Sequence, residues 1–160
     1  MAALSTDVSS ALRALEARDI DALISLLPAL LPGDWTATGI GRLLEAGHKF
    51  RVLVRGDSPE QIAGFAEYQC ILDEGHLLGI AVAAQFQRRG IGATLLDDVL
   101  MQMRAEGCTR CLLEVRRSNL AAQRLYQQAQ FMLDGVRKNY YLPQRAGQAS
   151  EDALLYSRAI

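Results

Sequence analysis

A chain of 160 residues, half of them hydrophobic, fits one globular domain with one substantial core. Seventeen Lys and Arg stand against eighteen Asp and Glu, and a net charge of −1 excludes the broad basic face that nucleic-acid binding requires. No apolar run reaches the length of a membrane span, and the opening Met1-Ala-Ala-Leu-Ser-Thr-Asp7 lacks the basic start and apolar block of a secretory signal, so a cytoplasmic protein without membrane contact is expected.

In chain order, residues 11–15 predict a first strand. Asp19 stands as N-cap of a helix, since Ile20, Leu23, Ile24 and Leu27 recur at helical spacing. Pro28 should interrupt that helix, and Pro32-Gly33 should end the segment. A second short helix is predicted over 35–44, entered through a Thr-rich turn and closed near Gly47. Residues 50–55 and 61–71 read as the two strands of a hairpin around Gly56-Asp-Ser-Pro59. Asp73-Glu-Gly75 then turns the chain into a buried strand over 77–83.

A long helix follows over 90–105, with Leu95, Leu96, Val99, Leu100 and Met103 on one face and Gly107 as its stop. Residues 111–115 form a central strand, and Ser118 or Asn119 caps a helix running to about Ala129. Strands at 131–137 and 153–157 complete the sheet as an antiparallel pair, separated by a flexible excursion over 143–152. The order predicts an α/β fold, a mixed sheet of about six or seven strands with about four helices, in a single domain over 1–160.

The most telling stretch is Gln85-Phe-Gln-Arg-Arg-Gly-Ile-Gly-Ala-Thr-Leu-Leu96, which joins a buried strand to a helix N-terminus. Unpaired backbone N–H groups and the helix dipole both attract an anion there. Gly90 and Gly92 let the backbone approach closely, while Arg88 and Arg89 add charge, so the ligand should carry phosphates. A nucleotide-triphosphate loop would need a Gly-Lys-Ser/Thr ending, which is missing. A dinucleotide fingerprint is nearly met by Gly90 and Gly92, with Glu114 downstream, but that motif normally follows the first strand of a larger doubly wound sheet.

Cys108 and Cys111 form a C-x-x-C on a helix-to-strand turn, with no second pair and no nearby histidine, and read as buried or half-buried thiols. His48 and His76 have no metal-ligand partner at useful spacing and read as surface or strand-edge residues; no metal is implied.

Gln87-Arg-Arg-Gly90-Ile-Gly92 matches the Q/R-x-x-G-x-G/A turn of the GNAT acetyltransferases. The chain also resembles their RimI-like branch, the bacterial ribosomal-protein-alanine N-acetyltransferases. That likeness lies in Leu72-Asp-Glu, Ile80-Ala-Val82, Leu113-Glu-Val-Arg116, Ser118-Asn119, Leu125-Tyr126 and Asn139-Tyr-Tyr141. It is dense from about residue 62 onward and thin before. The resemblance implies a single GNAT-like domain whose strands at 77–83 and 111–115 run parallel and splay apart. It further implies acetyl-CoA as co-substrate, with its pyrophosphate on Gln87, Arg88, Arg89, Gly90, Ile91, Gly92 and Ala93. The pantetheine arm would lie along Ile80, Ala81 and Val82, with Asn119 hydrogen-bonding the coenzyme. The acceptor implied is the N-terminal segment of a ribosomal protein.

Acetyl transfer to an amine needs a deprotonated nucleophile, a stabilised oxyanion and a protonated thiolate leaving group. Glu114 stands in an otherwise apolar strand, where desolvation would raise its pKa to a useful value; the alternatives are a solvent-facing position or an ion pair with Arg116. The resemblance makes Glu114 the base and Tyr126 the acid. On its own pattern Tyr126 could equally pack its ring in the core, and Asn119 could be a plain helix cap. Tyr140, Tyr141 and the turn over 72–75 match segments that shape the peptide cleft in similar enzymes, and are otherwise strand-end aromatics and an acidic turn. Asp73, Glu74 and Glu67 would place negative charge near the cleft mouth. Two departures stand out: Gln130-Phe131 replaces the usual Gly-Phe, and Gly79 replaces a larger polar residue. A lysine or small-amine acceptor, and a non-catalytic acyl-CoA-binding module, remain the competing functions.

Overall fold

Alternating and helical apolar spacings resolve into a seven-stranded mixed sheet with four α-helices, in a computed structural model that describes residues 10–30, 35–56, 61–143 and 147–160. The elements are β1 (Ser10–Ala14), α1 (Ile20–Leu30), α2 (Ala37–Glu45), β2 (Lys49–Arg55), β3 (Gln61–Ile71), β4 (Glu74–Val82), α3 (Ile91–Ala105), β5 (Arg110–Arg116), α4 (Leu120–Gln128), β6 (Met132–Tyr141) and β7 (Glu151–Ala159). The strand order is β1-β2-β3-β4-β5-β7-β6. The β4–β5 pair is parallel, and the β1–β2, β5–β7 and β6–β7 pairs are antiparallel. Pro32-Gly33, the turn at 57–59 and part of the 143–152 excursion lie outside the described residues.

The chain divides into two compact units, residues 1–67 with 79–95, and residues 68–78 with 96–160. The core of the first joins Leu23 and Leu27 of α1, Ile40 of α2, Phe50, Val52 and Val54 of β2, and Ile62 and Phe65 of β3. The expected cap of α1 is corrected. Asp19 turns its carboxylate backward, accepting from the Glu16 N–H at 2.8 Å and from both Arg13 nitrogens at 2.6 and 2.9 Å. That bidentate guanidinium holds the Asp19 carboxyl below its usual range and ties β1 to the start of α1. Pro28 does not interrupt the helix, which continues to Leu30. It falls in the last turn, where the missing N–H costs one hydrogen bond rather than the helix. α2 starts as expected, with Thr36 Oγ1 accepting from the Gly39 N–H at 3.0 Å.

Gly64 sets where β4 and α3 lie in this unit. A Cβ there would sit 2.8 Å from the Ala81 carbonyl oxygen and 3.0 and 3.3 Å from Leu95 and Ile91 side-chain carbons. The absent side chain therefore lets the first turns of α3 lie close to the sheet.

In the second unit α3 buries Leu96, Val99, Leu100 and Met103, and Gly75 leaves room for Met103. β4 starts at Glu74 rather than Leu77, because Glu74 and Gly75 already pair with Arg110 and Cys111 of β5. That parallel register ends at Leu77–Leu113. β6 and β7 are both longer than expected, extending to the pairing of Tyr141 with Glu151. α4 ends in a left-handed turn despite the absence of glycine: Gln130 has φ 63°, and the Phe131 N–H donates to the Tyr126 carbonyl at 2.9 Å. A non-glycine residue there costs roughly 1 kcal/mol.

Gly64→Val forces a branched side chain against a backbone oxygen that cannot swing aside. Its urea midpoint should fall, with a loss of about 1–3 kcal/mol. An unchanged midpoint would show that β3 can retreat from α3.

Candidate active site

The glycine- and arginine-bearing segment over 85–96 folds as a short turn that leads from a strand into a helix. After β4 the chain makes a 3₁₀ turn, Ala84–Phe86, and enters α3 at Ile91. Gln87 Nε2 donates to the Val82 carbonyl at 3.0 Å, so this side chain braces the loop against the end of β4. Arg88 and Gly90 both take positive φ, 62° and 79°. A Cβ on Gly90 would meet nothing within 4 Å, so the backbone angle, not crowding within the chain, selects glycine. Ile91 is buried and anchors the helix start, while Arg88, Arg89 and Ala93 are exposed and Gly92 half-buried. A helix leaves its first N–H groups without internal partners, so Ile91, Gly92 and Ala93 present donors to an incoming anion. Ile80, Ala81 and Val82 on β4 are half-buried.

Within the second unit lies a cavity of about 630 Å³, whose walls include His76 and Leu78 of β4, Glu114 of β5, and Arg137, Tyr140 and Tyr141 of β6. β5 alternates, with Cys111, Leu113 and Val115 buried and Leu112, Glu114 and Arg116 on the more open face. Glu114 is thus neither dry nor alone: its side chain is 31 % exposed, and Oε1 lies 2.6 Å from Arg137 Nη1. The ion pair with Arg116 is not formed. Arg116 pairs with Glu151 at 3.3 Å and covers the Tyr141 ring at 4.1 Å, while Arg137 stands 5.3 Å from the Tyr140 ring. Burial, then the nearby Glu114 carboxylate, push the Tyr141 phenol above its usual range.

Tyr126 of α4 is 5 % exposed, its ring 5.8 Å from Phe131 and 6.4 Å from Tyr156, a wall residue of the cavity. Burial pushes its phenol well above the usual tyrosine range, so the group holds its proton at neutral pH. Asn119 caps α4, its side chain accepting from the Ala122 N–H at 3.1 Å.

Residues 20–131 match the model of the acetyltransferase (GNAT) family. The chain belongs to the GNAT acetyltransferases. This family uses acetyl-CoA. Among relatives, the ribosomal protein bS18-alanine N-acetyltransferase of Salmonella typhimurium is 40 % identical over 101 residues, 63 % of this chain and 66 % of that enzyme. The enzyme of the same name from Haemophilus ducreyi is 42 % identical over 82 residues, 51 % of this chain and 57 % of that one. The matches therefore span less than two thirds of these relatives' own lengths. The crystal structure of the ribosomal-protein-S18-alanine N-acetyltransferase from Escherichia coli superposes with a TM-score of 0.80 at 28 % identity, covering 95 % of this chain and 94 % of that one.

Several expectations about individual residues are corrected. Glu67 is not an exposed charge: it is buried in β3, 2.7 Å from His48 Nδ1, so His48 is a partnered rather than an ordinary surface residue. His76 is on a cavity wall. Arg137 and Asp134 also line the cavity and were missed in the sequence; Asp134 pairs with Arg110 at 2.9 Å. The basic pair Arg137-Lys138 just before Asn139-Tyr-Tyr141 was the available signal for Arg137. Among the described residues no group of three His, Cys, Asp or Glu could hold a metal, and no helix is long and apolar enough to cross a membrane.

Cys70, Cys108 and Cys111 are free thiols, the last two buried. Burial pushes Cys70 and Cys111 up to about 12, far from the thiolate that reacts. At pH 8 a thiol reagent should leave Cys111 unmodified in the native protein and label it fully in urea, as peptide mass mapping will show.

Proposed function

We propose that this GNAT chain transfers the acetyl group of acetyl-CoA to the α-amine of a protein N-terminus, the N-terminal alanine of ribosomal protein bS18. The observation that carries this reading is Glu114, a carboxylate on the wall of a cavity large enough for a peptide end, at the first residue of β5 past its pairing with β4. The names and identities of the bacterial relatives support the acceptor. A ribosomal protein as acceptor sets the reaction in the cytoplasm.

Each chain residue then has a task. The first-turn N–H groups of Ile91, Gly92 and Ala93, with Arg88 and Arg89, bind the coenzyme pyrophosphate, and Gln87 braces their loop. Ile80, Ala81 and Val82 offer backbone groups to the pantetheine arm, and a backbone N–H near Val82 holds the oxyanion. Asn119 adds a hydrogen bond to the coenzyme alongside its role as cap. A free α-amine has a pKa of about 8, so Glu114 need take only the last proton. Arg137 holds Oε1, leaving Oε2 to meet the amine. Tyr126, protonated in its packed site, supplies the proton to the departing thiolate, whose pKa is about 8.5 by analogy with cysteine. Tyr140 and Tyr141 border the peptide.

Gly90→Val should abolish acetyl-CoA binding in calorimetry, since the branched side chain strains the left-handed backbone of the loop and stands where phosphate approaches, while circular dichroism shows the fold retained. Unchanged affinity would remove the coenzyme assignment.

Glu114→Gln should lower kcat by about 100- to 10,000-fold, the worth of general-base assistance, with acetyl-CoA affinity intact. Tyr126→Phe should also slow turnover, and acyl donors with better leaving thiols should restore part of the rate. Absence of that rescue would leave Tyr126 a packing residue.

Hexapeptides beginning with Ala and carrying Arg or Lys nearby should outcompete the same peptides with a blocked N-terminus and an internal lysine. Mass spectrometry that found acetyl on lysine, or only on small amines, would replace this acceptor with a different one.

A further inference from the structure

The proton that Glu114 takes from an acceptor ammonium must leave before the next turnover, and an acceptor seated on the half-exposed carboxylate would leave the side chains of the cavity wall as its route. Arg137 stays charged and cannot accept it. The Tyr141 phenol, pushed above its usual range by burial and by Glu114, keeps its proton. Asp134 is engaged by Arg110. His76 remains, the side-chain type that both accepts and releases protons near pH 7.

Its position fits the task. His76 pairs with Leu112 in the parallel register, and Leu112 lies two residues before Glu114 on the same face of β5. Both side chains line the cavity, and the His76 side chain is 33 % exposed, so it also meets bulk water. Glu114 stands one residue past the last β4–β5 pair, on the same face as Leu112, and a water can bridge two reaching side chains across such a gap. Glu74 Oε2, 3.9 Å from Nε2, is a carboxylate on the same strand positioned to steady an imidazolium.

We propose that His76 is the proton exit of this cavity, receiving through one water the proton that Glu114 removes from the acceptor and releasing it to solvent past Glu74. The proposal rests on the acetyl-transfer reading and deepens it. The ammonium N–H bond breaks and Glu114 becomes the carboxylic acid; a bridging water takes that proton while giving another to the free imidazole nitrogen. The imidazolium then loses its proton to bulk water, restoring both groups. The titratable groups around His76 are Glu74 on its own strand, Glu114 on β5, Asp134, Arg137, Tyr140 and Tyr141 on β6, and Tyr156 on β7.

The test uses the full chain with acetyl-CoA and two acceptors, an Ala-initiated hexapeptide and a polyamine, because the exit serves any amine that Glu114 deprotonates. His76→Asn should lower kcat about 100-fold, the low end of acid–base assistance, with acetyl-CoA KM and urea midpoint unchanged. His76→Ala should lose as much and regain rate on adding imidazole, which a packing role does not predict. The kcat–pH profile of His76→Asn should lose one inflection that the wild-type profile shows. An unchanged kcat in His76→Asn, or a loss that imidazole fails to rescue, overturns the relay while leaving the acetyl-transfer reading intact if Glu114→Gln is slow. An unimpaired Glu114→Gln removes the base assignment and the relay together.

Discussion

The parallel register of β4 with β5 runs from Glu74–Arg110 to Leu77–Leu113 and stops there. β5 itself continues to Arg116, held on its other side by antiparallel pairing with β7 through Ala153. Glu114 therefore belongs to a strand firmly fixed along one edge and no longer zipped to β4 along the other. A carboxylate on such a strand keeps a defined direction and still faces open volume.

Charge pairs then secure the end of the sheet that carries the site. Glu151 accepts the Ser118 N–H at 2.6 Å and meets Arg116 at 3.3 Å. Asp152 accepts the Asn139 N–H at 3.0 Å and pairs with Arg117 at 3.2 Å. Both carboxyls are held below their ordinary ranges, Glu151 by Ser118 first and Asp152 by the Asn139 N–H first. Their contribution is present above the usual carboxylate pKa and is lost as pH falls through the lowered values. In that window the contacts that tie the start of β7 to Ser118, Arg116, Arg117 and Asn139 weaken.

Strands and helices with one apolar face were legible in the sequence because their period is a property of the local chain. The loop over 87–93 was legible because glycine and arginine positions mark it without reference to distant partners. Partner choice was not. Arg137 reaches Glu114 through the register of β6 and β7, which no local spacing encodes. Glu67 looked like surface charge, yet residues 62–68 of β3 are buried throughout, so its carboxylate needed His48. The capping pattern at Asp19 was sound chemistry aimed the wrong way, since Arg13, six residues earlier, outcompeted the helix for the carboxylate.

β6 ends the sheet with nearly every residue exposed, Met132, Leu133 and Val136 among them. A long apolar border strand would ordinarily invite another chain to add itself by backbone hydrogen bonds. Here the ladder is broken twice, between Leu133 and Gly135 and between Arg137 and Tyr141, and Asp134, Arg137 and Lys138 put charges of both signs along it. A visiting strand would find neither an even run of donors and acceptors nor a uniformly greasy face. The shifts and the mixed charges thus make that border a poor template for a further strand.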